Sequence, residues 1–221
     1  MQQEITEPSK LLDENGHLVQ KGWARRPLLE YNRENIDAGA LRIKEWDYYA
    51  VLNPRFGITF TVADLGFAGL IAMAWLNFED RSVIQDEVMA MFTKGRFHMP
   101  RTSEAGDVQV SEKGVDLTFN KLPERRVLKF SFPDFNDGEG LSADLTLQQD
   151  PDMDSMVIAT PWKKKPTRFY YNQKINCMPA TGVACKGDEK YEFQSDEDES
   201  YGVLDWGRGV WTYKNTWYWA S

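Results

Sequence analysis

Cysteine and histidine are scarce in this chain, and their scarcity excludes two classes of site. The two cysteines, Cys177 and Cys185, are too few for a disulfide framework, so we expect both thiols to be reduced. The two histidines, His17 and His98, lie far apart, and neither is at ligand spacing from a cysteine or from the other histidine. The sequence therefore predicts no transition-metal site.

Complete cofactor motifs are absent as well. Asp150, Asp152 and Asp154 alternate as at the beginning of a calcium-binding loop, but Ser155 and Pro161 stand where such a loop has its glycine and its closing glutamate. No glycine-rich phosphate loop, nucleophile elbow or dinucleotide fingerprint occurs. We therefore expect no metal and no cofactor, and nothing in the residues supports hydrolase or dehydrogenase chemistry.

Long apolar runs and excess positive charge are also missing. No apolar run reaches the roughly 18 residues expected of a membrane span, so the sequence predicts no integral membrane segment. The polar residues 1–10 have no signal-peptide pattern, which predicts a cytoplasmic protein. The net charge of −8 argues against a nucleic-acid partner, because phosphate contacts require a basic surface. The oligomeric state is left open.

What the chain does have is alternation of apolar and polar residues. The segments 115–120, 127–132 and 141–148 each place apolar side chains at every second position, as half-buried antiparallel strands do. Turn residues such as Asn15-Gly16 separate about twelve such segments, and the ambiguous segment 81–92 fits a strand in this company. The pattern predicts an all-β barrel or sandwich, and a closed barrel is favoured because closure removes exposed edges.

Aromatic residues make up 13% of the chain, enough either for an ordinary β core or for a lined ligand cavity.

The acidic run 194–200 is typical of a solvated linker. We therefore expect one β domain over residues 1–195, followed over 200–221 by the start of a second β module or by a bridging strand.

The segment 43–52 supplies the first candidate site. Alternation places Trp46 on one face and Glu45, Asp47 and Tyr49 on the other. If that second face lines an apolar barrel interior, desolvation makes Glu45 or Asp47 a candidate acid catalyst. The alternative is that the face is wet and the two acids only solubilise it.

The aromatic C-terminal segment supplies the second candidate site. Gly207 and Gly209 flank Arg208 and suggest a tight bend that aims Asp205 and Arg208 into one cavity, with Asp205 as a further candidate acid. Tryptophans before and after this bend are candidate ligand contacts, namely Trp206, Trp211, Trp217 and Trp219, together with Trp46, Tyr49 and Arg208. The alternative is an Asp205–Arg208 pair that only braces the bend.

Four blocks, 4–36, 42–51, 63–69 and 204–221, resemble a bacterial family described only as a domain of unknown function, family 2804. More remotely, Asp205, Trp206 and Gly207 are similar to the Asp-His-Glu-Trp-Gly block of carotenoid hydratases, whose His and Glu are absent here. Those proteins have two lipocalin-like (calycin) barrels and act on or bind lipidic polyenes. The resemblance implies a lipocalin-like barrel, with the chain continuing past Ser221 into a second one.

Three functions follow as hypotheses. The first is a binding protein for a small apolar or amphipathic ligand, such as a lipid or isoprenoid, in a barrel cavity. The second is a hydratase, isomerase or cyclase on a lipidic substrate, with a carboxylate acid and Arg208 as anchor. The third is a structural or protein-interaction module.

Overall fold

The computed structural model describes residues 3–219 and consists almost entirely of β-strands. The strands are β1 (Ser9–Lys10), β2 (Gly22–Ala24), β3 (Leu29–Glu30), β4 (Lys44–Leu52), β5 (Phe56–Asp64), β6 (Ala68–Asn77), β7 (Ser82–Met91), β8 (Val108–Glu112), β9 (Val115–Leu122), β10 (Arg125–Phe132), β11 (Leu141–Gln148), β12 (Met156–Trp162), β13 (Lys165–Lys186), β14 (Glu189–Gln194) and β15 (Tyr201–Val210). The helical elements are a 3-10 turn (Arg33–Asn35), α1 (Phe135–Gly138) and α2 (Ser195–Asp198).

Ten of these strands form one antiparallel sheet that curls into a nearly closed barrel. Their order is β7-β6-β5-β4-β15-β13-β11-β10-β9-β8. Beside this path, β14 pairs with β13, and β12 pairs with both β13 and β2. A small parallel pair, β1 with β3, lies apart from it. The predicted all-β, antiparallel barrel is confirmed.

Alternation along the sequence matches the two faces of this sheet. The three segments that alternate most clearly become β9, β10 and β11, which pair in sequence order. Their apolar positions, among them Leu117, Leu128 and Leu145, are buried in the barrel interior. The ambiguous segment 81–92 is the edge strand β7, as the sequence predicted.

The barrel interior is filled by packed side chains. The ring centroids of Tyr49 and Phe119 lie 4.6 Å apart, and those of Phe60 and Phe130 lie 5.3 Å apart. Trp75 stacks on Phe56 at 5.5 Å near one end of the barrel. These aromatics therefore form an ordinary β core.

The long strand β13 joins the two halves of the sheet. Its first part pairs with β12 and β15, and its last part pairs with β11 and β14. The register with β15 shifts between Ile175 and Met178, at a bulge where Cys177 has a positive φ of 57°. A bulge of this kind bends and twists a strand, which lets β13 serve both halves. Cys177 and Cys185 are both free thiols.

Residues 201–210 belong to the same sheet as the rest of the barrel. Strand β15 pairs with β4 on one side and with β13 on the other. The acidic run before it forms the short helix α2. Residues 211–219, which we call the strap, form no strand. A second module after residue 221 stays a prediction.

The predicted bend at Gly207 and Gly209 is wrong, because both glycines lie in the extended strand β15. Their small size serves close packing instead. A Cβ atom on Gly207 would lie 1.9 Å from Cζ2 of Trp46, and one on Gly209 would lie 2.4 Å from the carbonyl oxygen of Phe169. Gly207 thus allows the Trp46 indole to lie directly over the strand.

We expect Gly207→Ala to lower the free energy of unfolding by about 1–3 kcal/mol, because the added methyl group overpacks the contact with Trp46. Gly39→Ala is the matched control, since a Cβ atom there meets nothing within 4 Å. Urea unfolding of the two variants measures the difference. Equal stabilities for the two variants would contradict the close approach at Gly207.

Candidate functional site

The alternation of β4 and β15 divides the sequence-predicted site residues between two faces of the sheet. In the antiparallel register, Arg208 is opposite Glu45 and Trp206 is opposite Asp47, whereas Asp205 is opposite Tyr48. The side chains that point into the barrel are those of Glu45, Asp47, Tyr49, Trp206 and Arg208. Those on the outer face, together with the strap, are Trp46, Asp205, Trp211, Trp217 and Trp219.

The guanidinium of Arg208 is fully buried, and each of its three nitrogens donates a hydrogen bond within the protein. Its Nη1 donates to Oδ1 of Asp47 at 2.9 Å and to the carbonyl oxygen of Trp46 at 2.8 Å. Its Nη2 donates to the carbonyl oxygen of Pro100 at 2.9 Å, and its Cζ lies 4.3 Å from the Trp206 ring centroid. Arg208 therefore braces the barrel rather than anchoring a ligand.

Glu45 is buried beside the same guanidinium. Its Oε1 accepts from the Tyr31 hydroxyl at 2.8 Å and lies 4.0 Å from Nε of Arg208, and its Oε2 accepts from Arg33. Burial and the Glu45 carboxylate raise the pKa of Tyr31, which keeps this phenol a donor. The apolar surroundings expected for Glu45 and Asp47 are absent, because guanidinium groups pair with both carboxylates.

Tyr49 and Trp206 also belong to the interior. The Tyr49 ring packs on Phe119, and its hydroxyl accepts from Nη1 of Arg126 at 3.1 Å. Burial raises the pKa of Tyr49. The Trp206 ring meets that of Tyr171 edge-on at 5.4 Å. The predicted common cavity for Asp205 and Arg208 is therefore wrong: the strand's two-residue period points them to opposite faces.

The outer face carries an open cavity of about 1040 Å³, which we call the outer cleft. Its floor consists of outward-facing side chains from five adjacent strands, β5, β4, β15, β13 and β12: Thr61, Ala63, Trp46, Tyr48, Asp205, Tyr170, Asn172, Lys174, Met156, Ile158 and Thr160. Its walls include Trp162 and four residues of the strap, Trp211, Trp217, Tyr218 and Trp219.

A buried polar group lies at the centre of this floor. Oδ2 of Asp205 forms an ion pair with Nζ of Lys174 at 2.6 Å. Its Oδ1 accepts from Nδ2 of Asn172 at 2.5 Å and from Nε1 of Trp46 at 3.3 Å. Asp205, Asn172 and Lys174 are all buried, so this group is a fixed polar point within an apolar surface.

Aromatic rings surround that point. Trp46 stacks on Tyr170 with centroids 5.7 Å apart and an interplanar angle of 21°. Trp217 contacts both Tyr170 at 5.0 Å and Trp162 at 5.9 Å, and Trp211 meets Trp46 edge-on at 5.6 Å. The strap is therefore held against the sheet mainly through ring contacts.

The cleft changes the protonation behaviour of its neighbours. Burial, followed by the nearby Asp205 carboxylate, raises the pKa of Tyr170 and of Tyr48. At the start of β4, outside the lining of the cleft, burial and the neighbouring Arg42 lower the pKa of Lys44 to about 8. The raised pKa keeps the phenols of Tyr48 and Tyr170 neutral at physiological pH.

Sequence reasoning missed most of the residues that line the cleft. Tyr170, Asn172 and Lys174 alternate along β13, a signal visible in the sequence, but their pairing with Asp205 depends on which strands are neighbours. Trp162 and Met156 come from β12, which reaches the cleft only through its pairing with β13.

Among residues 3–219, no group of histidine, cysteine or acidic side chains is arranged to hold a metal ion. In the calcium-like segment, Asp152 and Asp154 instead pair with Arg26 and Arg25. Within the same described part of the chain, no helix has the length and apolar character needed to cross a membrane.

We expect Tyr170 to contribute to the loss of stability at high pH. Its pKa is about 10 when unfolded and higher when folded, so the unfolded phenol loses its proton first and stability falls as the pH rises above 10. Tyr170→Phe should reduce the slope of unfolding free energy against pH by about 1.4 kcal/mol per pH unit above pH 10. Urea titrations between pH 9 and 12 test this, and identical slopes in both proteins would contradict it.

Comparisons with known proteins place the chain in a family. No curated protein matches it. One solved structure that resembles it is a Nitrosomonas europaea protein provisionally assigned as AttH, with 14% identity and a TM-score of 0.41. The match covers 84% of this chain and 57% of that one, so the chain spans little more than half the length of that protein. The family model described as "Domain of unknown function (DUF2804)" matches residues 2–221, and the chain therefore belongs to that family.

Proposed function

We propose that this protein binds a small apolar or amphipathic molecule in the outer cleft. The observation that carries the proposal is the cleft itself, a cavity of about 1040 Å³ whose aromatic and aliphatic lining surrounds one buried polar group. Ligand sites in proteins commonly combine an apolar lining with a few polar groups that fix orientation. The cleft has both features.

The position differs from the sequence-based expectation, which put the ligand inside the barrel. The interior is occupied by packed rings and by the ion pairs of Arg208. A second open cavity, of about 1050 Å³, lies among loops near residues 10–19 and 34–37. Its lining has no aromatic residue and includes the acids Asp13, Glu14, Glu34 and Asp37, so it suits an apolar ligand poorly.

The polar group supports a ligand with a neutral polar end. Asp205 and Lys174 neutralise each other within the floor of the cleft. A ligand carboxylate would meet the Asp205 oxygens, and a ligand ammonium would meet Lys174, so either charge is repelled by one member of the pair. A hydroxyl or an amide N–H can be accepted by Asp205 without such repulsion.

An enzyme acting on a lipidic substrate is the second candidate, favoured by one observation. Of the three carboxylates predicted as acids, Asp205 is the one that lies on the floor of the cleft. Its ion pair with Lys174 suits a binding role better than proton donation, which is why binding comes first. A cytoplasmic location and the absence of a nucleic-acid partner remain proposals that rest on the sequence.

We expect Met156→Asp to weaken binding of a neutral apolar dye, N-phenyl-1-naphthylamine, about tenfold, because the charge must lose water when the dye enters. Met91→Asp is the matched control: Met156 is 52% exposed and lines the cleft, whereas Met91 is 62% exposed on β7, outside it. Fluorescence titration of the dye measures both affinities.

Equal affinities for Met156→Asp and the unmodified protein would contradict binding in the outer cleft. So would an equal loss in the two variants, because it would report a general surface effect.

A further inference from the structure

The strap places one of its own side chains on the polar group of the outer cleft. The indole N–H of Trp219 donates to Oδ2 of Asp205. The Trp219 ring lies beneath the ammonium of Lys174, with Nζ 4.4 Å from the ring centroid, and meets Tyr48 edge-on at 5.8 Å. A flat ring with one donor atom thus already occupies this position.

Trp219 is only partly covered in this position. Trp219 remains 56% exposed, and its neighbour Tyr218 is 97% exposed. Other attachments of the strap lie earlier along it, where Nη2 of Arg42 donates to the carbonyl oxygen of Trp211 at 2.8 Å and Nε1 of Trp162 donates to Oδ1 of Asn215 at 2.9 Å. The Trp219 side chain can therefore leave the cleft while the start of the strap stays in place.

Removing Trp219 changes the hydrogen bonding of Asp205. Oδ2 would retain the ion pair with Lys174 but lose the donor that faces it from the cleft. A buried carboxylate oxygen with an open acceptor position favours any molecule that brings a donor to it. The ammonium above the vacated position favours a ring face, through attraction between the cation and the π electrons.

We propose that Trp219 occupies the subsite of the natural ligand, and that this ligand is a planar aromatic molecule with one N–H or O–H donor, which displaces Trp219 when it binds. The inference rests on the proposed function and narrows its ligand class. The donor contacts Oδ2 of Asp205, the ring lies between Lys174 and Tyr48, and the remaining apolar part extends along Ile158 and Trp162.

The experiment uses free indole as the probe and the full chain with Trp219→Ala. Isothermal titration calorimetry should show indole binding this variant about tenfold more tightly than the unmodified protein, because the subsite is vacant. Tyr213→Ala is the control, since it removes a strap aromatic that is 85% exposed and lies outside the lining of the outer cleft, and it should behave as the unmodified protein does.

A second probe tests the hydrogen bond without a further mutation. 1-Methylindole has the same ring but no N–H, so Trp219→Ala should bind it about tenfold more weakly than indole, the effect of losing a hydrogen bond to a charged group. Equal affinities for the two probes, or for indole in Trp219→Ala and the unmodified protein, would overturn the inference.

The outcomes also separate this inference from the proposed function. If N-phenyl-1-naphthylamine binds in a Met156-dependent manner while indole neither prefers Trp219→Ala over the unmodified protein nor binds better than 1-methylindole, the subsite at Trp219 is wrong and the cleft remains a binding site. If neither the dye nor indole binds to any of these proteins, both proposals fail.

Discussion

Strand β15 carries two opposite charges three residues apart, and the sheet must bury both. Because side chains alternate along a strand, Arg208 enters the barrel and Asp205 faces outward. Breaking a buried ion pair is costly, so each charge requires its own partner. Arg208 pairs with Asp47 and with backbone carbonyl groups. Asp205 pairs with Lys174 and accepts a hydrogen bond from Asn172. These partners fix β15 between β4 and β13.

The same arrangement creates the outer cleft. Pairing β15 with β13 brings Lys174 opposite Asp205, and pairing it with β4 brings Tyr48 opposite Asp205 from the other side. Gly207 contributes by having no side chain, which lets the Trp46 indole lie over the strand and reach Tyr170. The cleft is therefore a consequence of register, with apolar rings gathered around a polar group that the sheet itself requires.

The sequence predicted which side chains share a face of a strand better than it predicted which strands lie side by side. Alternation correctly separated Trp46 from Glu45 and Asp47, because a period of two is a local property of each strand. It could not show that β4 lies beside β15, more than a hundred residues later, since that pairing depends on long-range packing. The two glycines around Arg208 were misleading, because their role is close contact with Trp46 and Phe169 rather than a turn. The strap forms no strand, and its position depends on ring contacts and hydrogen bonds to distant residues, which a local sequence pattern does not reveal.

The central claim is that a ligand occupies the outer face of the sheet and not the barrel interior. Photolabelling with a neutral aryl diazirine, followed by mass spectrometry of the peptides, tests it most directly. The account predicts adducts concentrated in residues 156–163 and 211–219. Adducts concentrated on the interior-facing positions of β9 and β10, with none in residues 156–163, would contradict it.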